Sequence, residues 1–314
     1  MFTQNGAKIP KLCANWGTFK SIMAWLLPKP LESPAVGEFN RWLGELAEQL
    51  ADPVTDRYGL VAEILAQLFY ANHYDELVEK TPLAAFALHP AHITLEGEHY
   101  SATDPVAFAR VKPLLWLWQC VDLTPLGQST YSGVELRRVL APHIFKSVGK
   151  GFKCFQNVAF SVGYNLEFGD LVVLHRGVFL DDIGGMTIGS GSSFSDYANA
   201  YSHSHDALVP EDVTLQHTII GERVRVTYHA TLLSGVRIGD DAIIGSMAVV
   251  THDVGPHQVA MGIPARSQRV KVRDCPYCRS GNPHPSDQIQ RIPDRKANPD
   301  YPEFIPHGQG TKKI

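Results

Sequence analysis

Residues Ile220 to Val250 read IGERVRVTYHATLLSGVRIGDDAIIGSMAVV, and apolar side chains return at every sixth position: Ile220, Val226, Leu232, Ile238, Ile244 and Val250. A period of six belongs neither to an amphipathic helix nor to an alternating strand. It marks an internal repeat, which decides the architecture before any single element is assigned. Glycine follows the apolar residue at Gly221, Gly239 and Gly245, as expected where a chain turns a corner that a Cβ would resist. One short strand and one corner per six residues close a three-sided coil after three units, and stacked coils bury the apolar column. The stretch therefore predicts a β-solenoid.

Upstream, the same rule places Val162, Phe168, Leu174 and Leu180 in one run, and Ile188, Phe194 and Ala200 in another. The runs are out of phase. Eight residues separate Leu180 from Ile188 and twenty separate Ala200 from Ile220, so each slip predicts an insertion. The inward position after Ala200 falls on Asp206, whose charge cannot enter an apolar column without a large desolvation penalty. The chain must leave the coil there. His203-Ser-His-Asp206 is then the root of a loop projecting near 201–217, and long loops on rigid scaffolds concentrate function.

The first part of the chain has a different character. All five tryptophans (Trp16, Trp25, Trp42, Trp116, Trp118) precede residue 119. Helical spacing runs through Phe39, Trp42, Leu43, Leu46 and Leu50, then through Leu60, Ile64, Leu65, Leu68 and Phe69. Asp104 as N-cap with Pro105 behind it predicts a helix towards Val121, kinked or split at Pro113, and Glu135–Phe145 predicts a last one interrupted by Pro142. The fold class is α+β: a mainly helical domain over 1–150, a solenoid over 151–270, and an extended Pro-rich tail over 271–314. The helical domain suggests no chemistry of its own.

Composition narrows the function classes. A formal charge of −4 without a long basic run argues against nucleic acid as a partner. No segment reaches the roughly 18–20 apolar residues of a membrane span, and the start lacks a secretory hydrophobic stretch, so a cytoplasmic location is expected. Cys13, Cys120, Cys154, Cys275 and Cys278 are scattered and form no disulfide framework. Cys275-Pro-Tyr-Cys278 is one CxxC without a second pair; a zinc there would need His284 or another chain, and a reduced, uncomplexed pair is the expectation.

The run from Ile220 to Arg266 strongly resembles the closing coils of the hexapeptide-repeat acyltransferases, the left-handed parallel β-helix family of maltose, galactoside and xenobiotic acetyltransferases. The likeness extends over Val162–Arg266 and leaves out the helical domain and the tail. It implies left-handed coils, a homotrimer, and acetyl-CoA or another acyl-CoA lying in a groove between subunits, with a small-molecule acceptor. A helical domain before such a solenoid is also similar to serine acetyltransferase, although the detailed motifs of that enzyme are not visible.

Tyr201 to His205 match the family's Tyr-x-x-x-His setting, and the resemblance makes His205 the catalytic base. The chemistry agrees: acylating a hydroxyl or amine requires removal of a proton, and imidazole titrates near neutrality. His203, two residues away in an extended segment, shares the face of His205 and is either part of the base site or a polar loop residue. His175 falls where galactoside-type relatives hold acceptor or tetrahedral intermediate with an asparagine, and is either a donor there or a structural residue. Asp181 and Asp182 match an Asp-Asp pair in the same relatives and, with Tyr201, are acceptor-site or corner groups. For the cofactor, the resemblance places Tyr228, Ser234, Gly235, Ser246, Thr251, Gly262 and Arg266 along pantetheine and nucleotide; small residues admit the arm and a guanidinium matches phosphate. Corner geometry alone is the competing account of Ser234, Gly235 and Ser246.

The expected function is therefore acyl-CoA-dependent O- or N-acyl transfer, without a metal. Two rival readings stand beside it. One is a non-catalytic solenoid scaffold. The other is a zinc enzyme like the carbonic-anhydrase relatives of this fold, for which His-x-His would need a third ligand from His175, His217 or His229.

Overall fold

The computed structural model describes residues 33–209 and 212–271, and the backbone of 289–291. Among the described residues seven helices come first: α1 (Pro34–Ala51), α2 (Arg57–Tyr70), α3 (Tyr74–Lys80), α4 (Pro82–Leu88), α5 (Pro105–Val121), α6 (Pro125–Gln128) and α7 (Ser132–Ile144). Between α4 and α5 lie two short 3₁₀ turns, Pro90–His92 and Glu96–His99. Side chains of Ser33, Asp56 and Asp104 accept amides of the first turns of α1, α2 and α5, satisfying donors that have no partner inside the helix.

Helix α5 runs unbroken through Pro113, against the expected kink or split. A proline within a helix leaves the carbonyl four residues earlier without its donor. That carbonyl belongs to Ala109, and the Tyr58 hydroxyl of α2 donates to it at 3.1 Å. A tertiary hydrogen bond has replaced the missing local one. Helix α7 likewise continues past Pro142 to Ile144.

From Ser147 the chain becomes a parallel β-solenoid. One face stacks Ser147–Val148, Leu166–Phe168, Met186–Ile188, Thr218–Ile220 and Arg237–Ile238. A second stacks Lys153–Cys154, Val173–Leu174, Ser193–Phe194, Arg225–Val226, Ile243–Ile244 and Gln258–Met261. The third stacks Ala159–Phe160, Phe179–Leu180, Asn199–Ala200, Thr231–Leu232 and Val249–Val250. Register puts Phe168 on Ile188, Leu174 on Phe194 and Leu180 on Ala200, so the six-residue positions form the buried columns.

The first coil corrects the register read from sequence. Phe160, not Val162, stacks on Leu180, and the column begins with Val148, Cys154 and Phe160. Val162 lies in the corner that follows, fully buried there, and the step from Phe160 to Phe168 is eight residues, like that from Leu180 to Ile188.

Helices and solenoid share one core. Phe145 packs edge-on against Trp118, Phe152, Phe160 and Phe168 at ring separations of 5.7, 5.9, 4.9 and 4.9 Å, within the range that aromatic pairs favour. Trp118 Nε1 donates to the Val158 carbonyl at 2.8 Å, and Asp122, ion-paired with fully buried Arg137, accepts the Asn157 amide at 2.9 Å.

The expected excursion is a β-hairpin. His203–His205 pairs antiparallel with Val213–Leu215. Asp206 stays out of the column, and its carboxylate accepts the amides of Leu208 and Val209. After the last coil, Arg266–Lys271 folds back antiparallel on Gln258–Met261 and pairs in turn with Ile289–Arg291. The rest of the tail, with Cys275, Cys278 and His284, lies outside the described residues, as do Cys13, Trp16 and Trp25. Among the described residues no helix is long and apolar enough to cross a membrane.

Candidate active site

The hairpin leaves the prism at the edge between the third and first faces, directly after Asn199–Ala200. One coil earlier, the same edge carries Asp181 and Asp182. Both are fully buried. Asp181 accepts the amides of Ser202 and His203 at 2.9 and 3.1 Å, the Ser161 hydroxyl at 3.2 Å, and the Nδ1–H of His203 at 2.6 Å. With the Ile183 amide at 3.4 Å as a fifth donor, the carboxylate is held in one orientation, and it fixes the ring of His203; in the neutral imidazole that leaves Nε2 as acceptor.

Asp182 has a different task. Its oxygens accept the amides of Val162 at 2.8 Å and Asn165 at 3.3 Å, holding the corner of the previous coil. Burial pushes its carboxyl up to about 6, against the pull of those amides. Neither aspartate reaches the surface, so the acceptor-contact role expected for them gives way to the corner role, and Asp181 reaches the site only through His203.

His203 and His205 do point to one side. Their rings meet edge to face at 5.2 Å, His203 half-buried and His205 exposed on the hairpin. Facing both is Tyr100, from the helical region. Its ring lies 5.1 Å from that of His203 and 6.4 Å from that of His205, and its hydroxyl is 3.4 Å from His203 Nε2. Glu96, in the same turn, faces this group. Burial raises its carboxyl above the usual range and the Asp181 charge adds to the rise, while His203 opposes it. Tyr100 and Glu96 were not legible in sequence: EGEHY carries no spacing that ties it to a motif 100 residues away.

The other expected site residues divide between two edges. Tyr201, Ser234, Gly235 and Thr251 follow strands of the third face and share the edge of His203. Tyr201 packs on Phe179 at 5.8 Å. Gly235 has φ +77°, and a Cβ there would come within 2.9 Å of Gln216, whose Oε1 accepts from Ser234 Oγ. Thr251 bonds the neighbouring His252 at 2.8 Å.

His175, Tyr228 and Ser246 follow strands of the second face, on the adjacent edge. Within the chain His175 is thus apart from His203 and His205. Its ring stacks on Phe155 at 5.1 Å, and burial lowers its affinity for a proton, opposed by Asp196. Ser246 bonds Thr227 at 3.2 Å and Tyr228 is exposed. Gly262, at φ +98°, and Arg266 flank the turn after the last coil, where both are exposed. Small, open residues with one guanidinium are a chemically suitable lining for a pantetheine arm and its phosphates. Among the described residues no group of three His, Cys, Asp or Glu side chains is placed to hold a metal ion.

Comparison with known proteins returns acetyltransferases. Galactoside O-acetyltransferase of Escherichia coli (strain K12) is 28% identical over 151 residues, covering 46% of this chain and 74% of the relative. A putative serine acetyltransferase of Schizosaccharomyces pombe is 28% identical over 106 residues, 34% of this chain and 39% of that protein. This chain therefore spans well under two thirds of the latter's length. Among solved structures, a maltose O-acetyltransferase from Clostridium difficile 630 is 24% identical, with a TM-score of 0.49, covering 58% of this chain and 99% of that one. No family model matches the chain. The curated relatives are named as acetyltransferases, and this chain carries a parallel β-solenoid. The resemblance carried by Ile220–Arg266 extends to named relatives.

Proposed function

We propose that the protein is an acyl-CoA-dependent O- or N-acyltransferase, with acetyl-CoA as donor and a small molecule as acceptor. The observation that carries this reading is the imidazole pair at the root of the hairpin, with His203 locked by buried Asp181 and His205 presented outward beside it. Homology to acetyltransferases supports the same chemistry.

His205 takes the proton of the acceptor hydroxyl or amine as its oxygen or nitrogen bonds to the thioester carbonyl carbon. The tetrahedral adduct collapses with breakage of the C–S bond, and the imidazolium returns its proton to the departing thiolate. Ester or amide and free CoA thiol are the products. His203, held by Asp181, keeps a second imidazole against the first. Ser234, Gly235, Ser246, Thr251, Gly262 and Arg266 serve the arm and nucleotide of the donor, with Tyr228 narrowing the groove. His175 serves from the neighbouring edge.

The reading includes a cytoplasmic homotrimer, as the resemblance implies, in which two edges of adjacent subunits face one groove. An exposed stripe of Tyr197, Tyr228 and Met247 on the second-to-third edge supports self-association. Thiol release from acetyl-CoA with a library of alcohols and amines tests the activity. His205→Ala should lose about 10²–10⁴-fold in rate, and unchanged turnover would remove His205 from the role.

A further inference from the structure

The helical region places one side chain, Tyr100, against the proposed base site. Tyr100 ends the turn Glu96–His99. Glu98 Oε2 accepts the Leu95 amide at 2.8 Å, and its other oxygen receives Lys112 of α5 at 2.9 Å. Thr103 Oγ1 donates to the Gly97 carbonyl at 2.6 Å. Gly97 is buried between α5 and the solenoid, and a Cβ there would come within 2.7 Å of Phe108 and 2.8 Å of Val162. A bond within the turn, bonds from α5 and from the following loop, and the close packing of Gly97 on Val162 fix this turn, and with it the approach of Tyr100 to His203.

At 3.4 Å the hydroxyl of Tyr100 is farther from His203 Nε2 than a well-formed hydrogen bond requires. The two atoms are complementary. With Nδ1–H committed to Asp181, Nε2 of the neutral ring is an acceptor, while the phenol both donates and accepts. A polar group seated beside the pair, within reach of both atoms, would find an acceptor in one and a donor in the other, next to His205. Burial raises the Tyr100 phenol above its usual range, with Glu96 and Asp181 adding to the rise, so it works as a neutral hydrogen-bonding group.

We propose that Tyr100 and His203 form a donor–acceptor clamp that holds a second hydroxyl or amine of the acceptor while His205 deprotonates the first. This rests on the acyl-transfer reading and adds to it a role for the helical domain. Tyr100 is then a positioning residue, and the preferred acceptors carry two neighbouring polar groups. An acceptor with one such group leaves the clamp unfilled and loses its orientation.

The test compares propan-1-ol with propane-1,2-diol as acceptors for acetyl-CoA, in the full chain and in Tyr100→Phe, which keeps the ring and removes the hydroxyl. The native protein should favour the diol in kcat/KM by roughly 3–10-fold, the span of one neutral hydrogen bond. Tyr100→Phe should erase that preference through the KM of the diol, with the KM of acetyl-CoA unchanged. A purely structural tyrosine would leave the diol preference in the variant, and equal use of the two alcohols by the native protein would also overturn the clamp. Calorimetry with acetyl-CoA separates the two levels. Donor binding without diol preference sinks the clamp alone, whereas absence of donor binding and of thiol release sinks the acyl-transfer reading and the clamp together.

Discussion

The Nδ1 of His203 lies 2.6 Å from Oδ2 of Asp181, across two successive coils of the solenoid. The same carboxylate accepts the backbone amides of Ser202 and His203, so one buried group fixes the ring and the chain that bears it. Asp181→Asn offers a donor where Asp181 accepts. We expect turnover to fall by about 10–100-fold, the order found when a partner that orients a functional histidine is lost, with acetyl-CoA affinity retained. Single-turnover kinetics beside calorimetry would check this, and native turnover in Asp181→Asn would break the link between the carboxylate and the site.

Asp182 makes stability depend on pH. Its carboxyl is raised from the ordinary value of 3.8 to about 6 in the folded protein. Protonation therefore favours the fold: the contribution is complete below the unfolded value and disappears as pH rises through about 6. Its size is on the order of 3 kcal/mol. Asp182→Asn cannot titrate, so urea midpoints of the native protein should fall relative to the variant between pH 4 and pH 7. Parallel curves would contradict the assignment.

Phe145 joins four aromatic rings from helix and coil in one cluster. Phe145→Ala should cost about 3–5 kcal/mol, the usual range for deleting a buried aromatic ring. Because the ring belongs to both parts of the fold, far-ultraviolet signals from helix and strand should be lost in a single urea transition. Two separated transitions would show that the parts unfold independently.

Gly97→Ala tests the seat of Tyr100. The added methyl must displace Phe108 or Val162, and overpacking of that kind costs about 1–3 kcal/mol. A thermal melt should register the loss. Acceptor KM should rise along with it, even though residue 97 bears no reactive group. A destabilised variant with native acceptor KM would detach the turn from recognition.

The columns of the solenoid were legible because a period of six survives wherever side chains must stack. The first coil was harder to read. Cys154 and Phe160 obey the period, but the eight-residue corner after Phe160 lets Val162 mimic the next register. The unbroken course of α5 escaped because the compensation for Pro113 comes from Tyr58, far away in sequence. Near the site, the two histidines announced themselves by type and spacing. The partnership of Asp181 with His203 needed the stacking of coils, and Tyr100 needed the packing of the helical region on the solenoid; neither leaves a trace in a linear pattern.

The strand Arg266–Lys271 runs against the direction of all the rungs before it, while at the opposite end the first rung is roofed by Phe145 and Trp118. A parallel stack offers each new rung the same template, and nothing intrinsic limits its growth. Here the template is reversed at one terminus and hidden at the other. A further parallel rung thus meets no matching template beyond Gln258–Met261 on the second face, which disfavours end-to-end addition there.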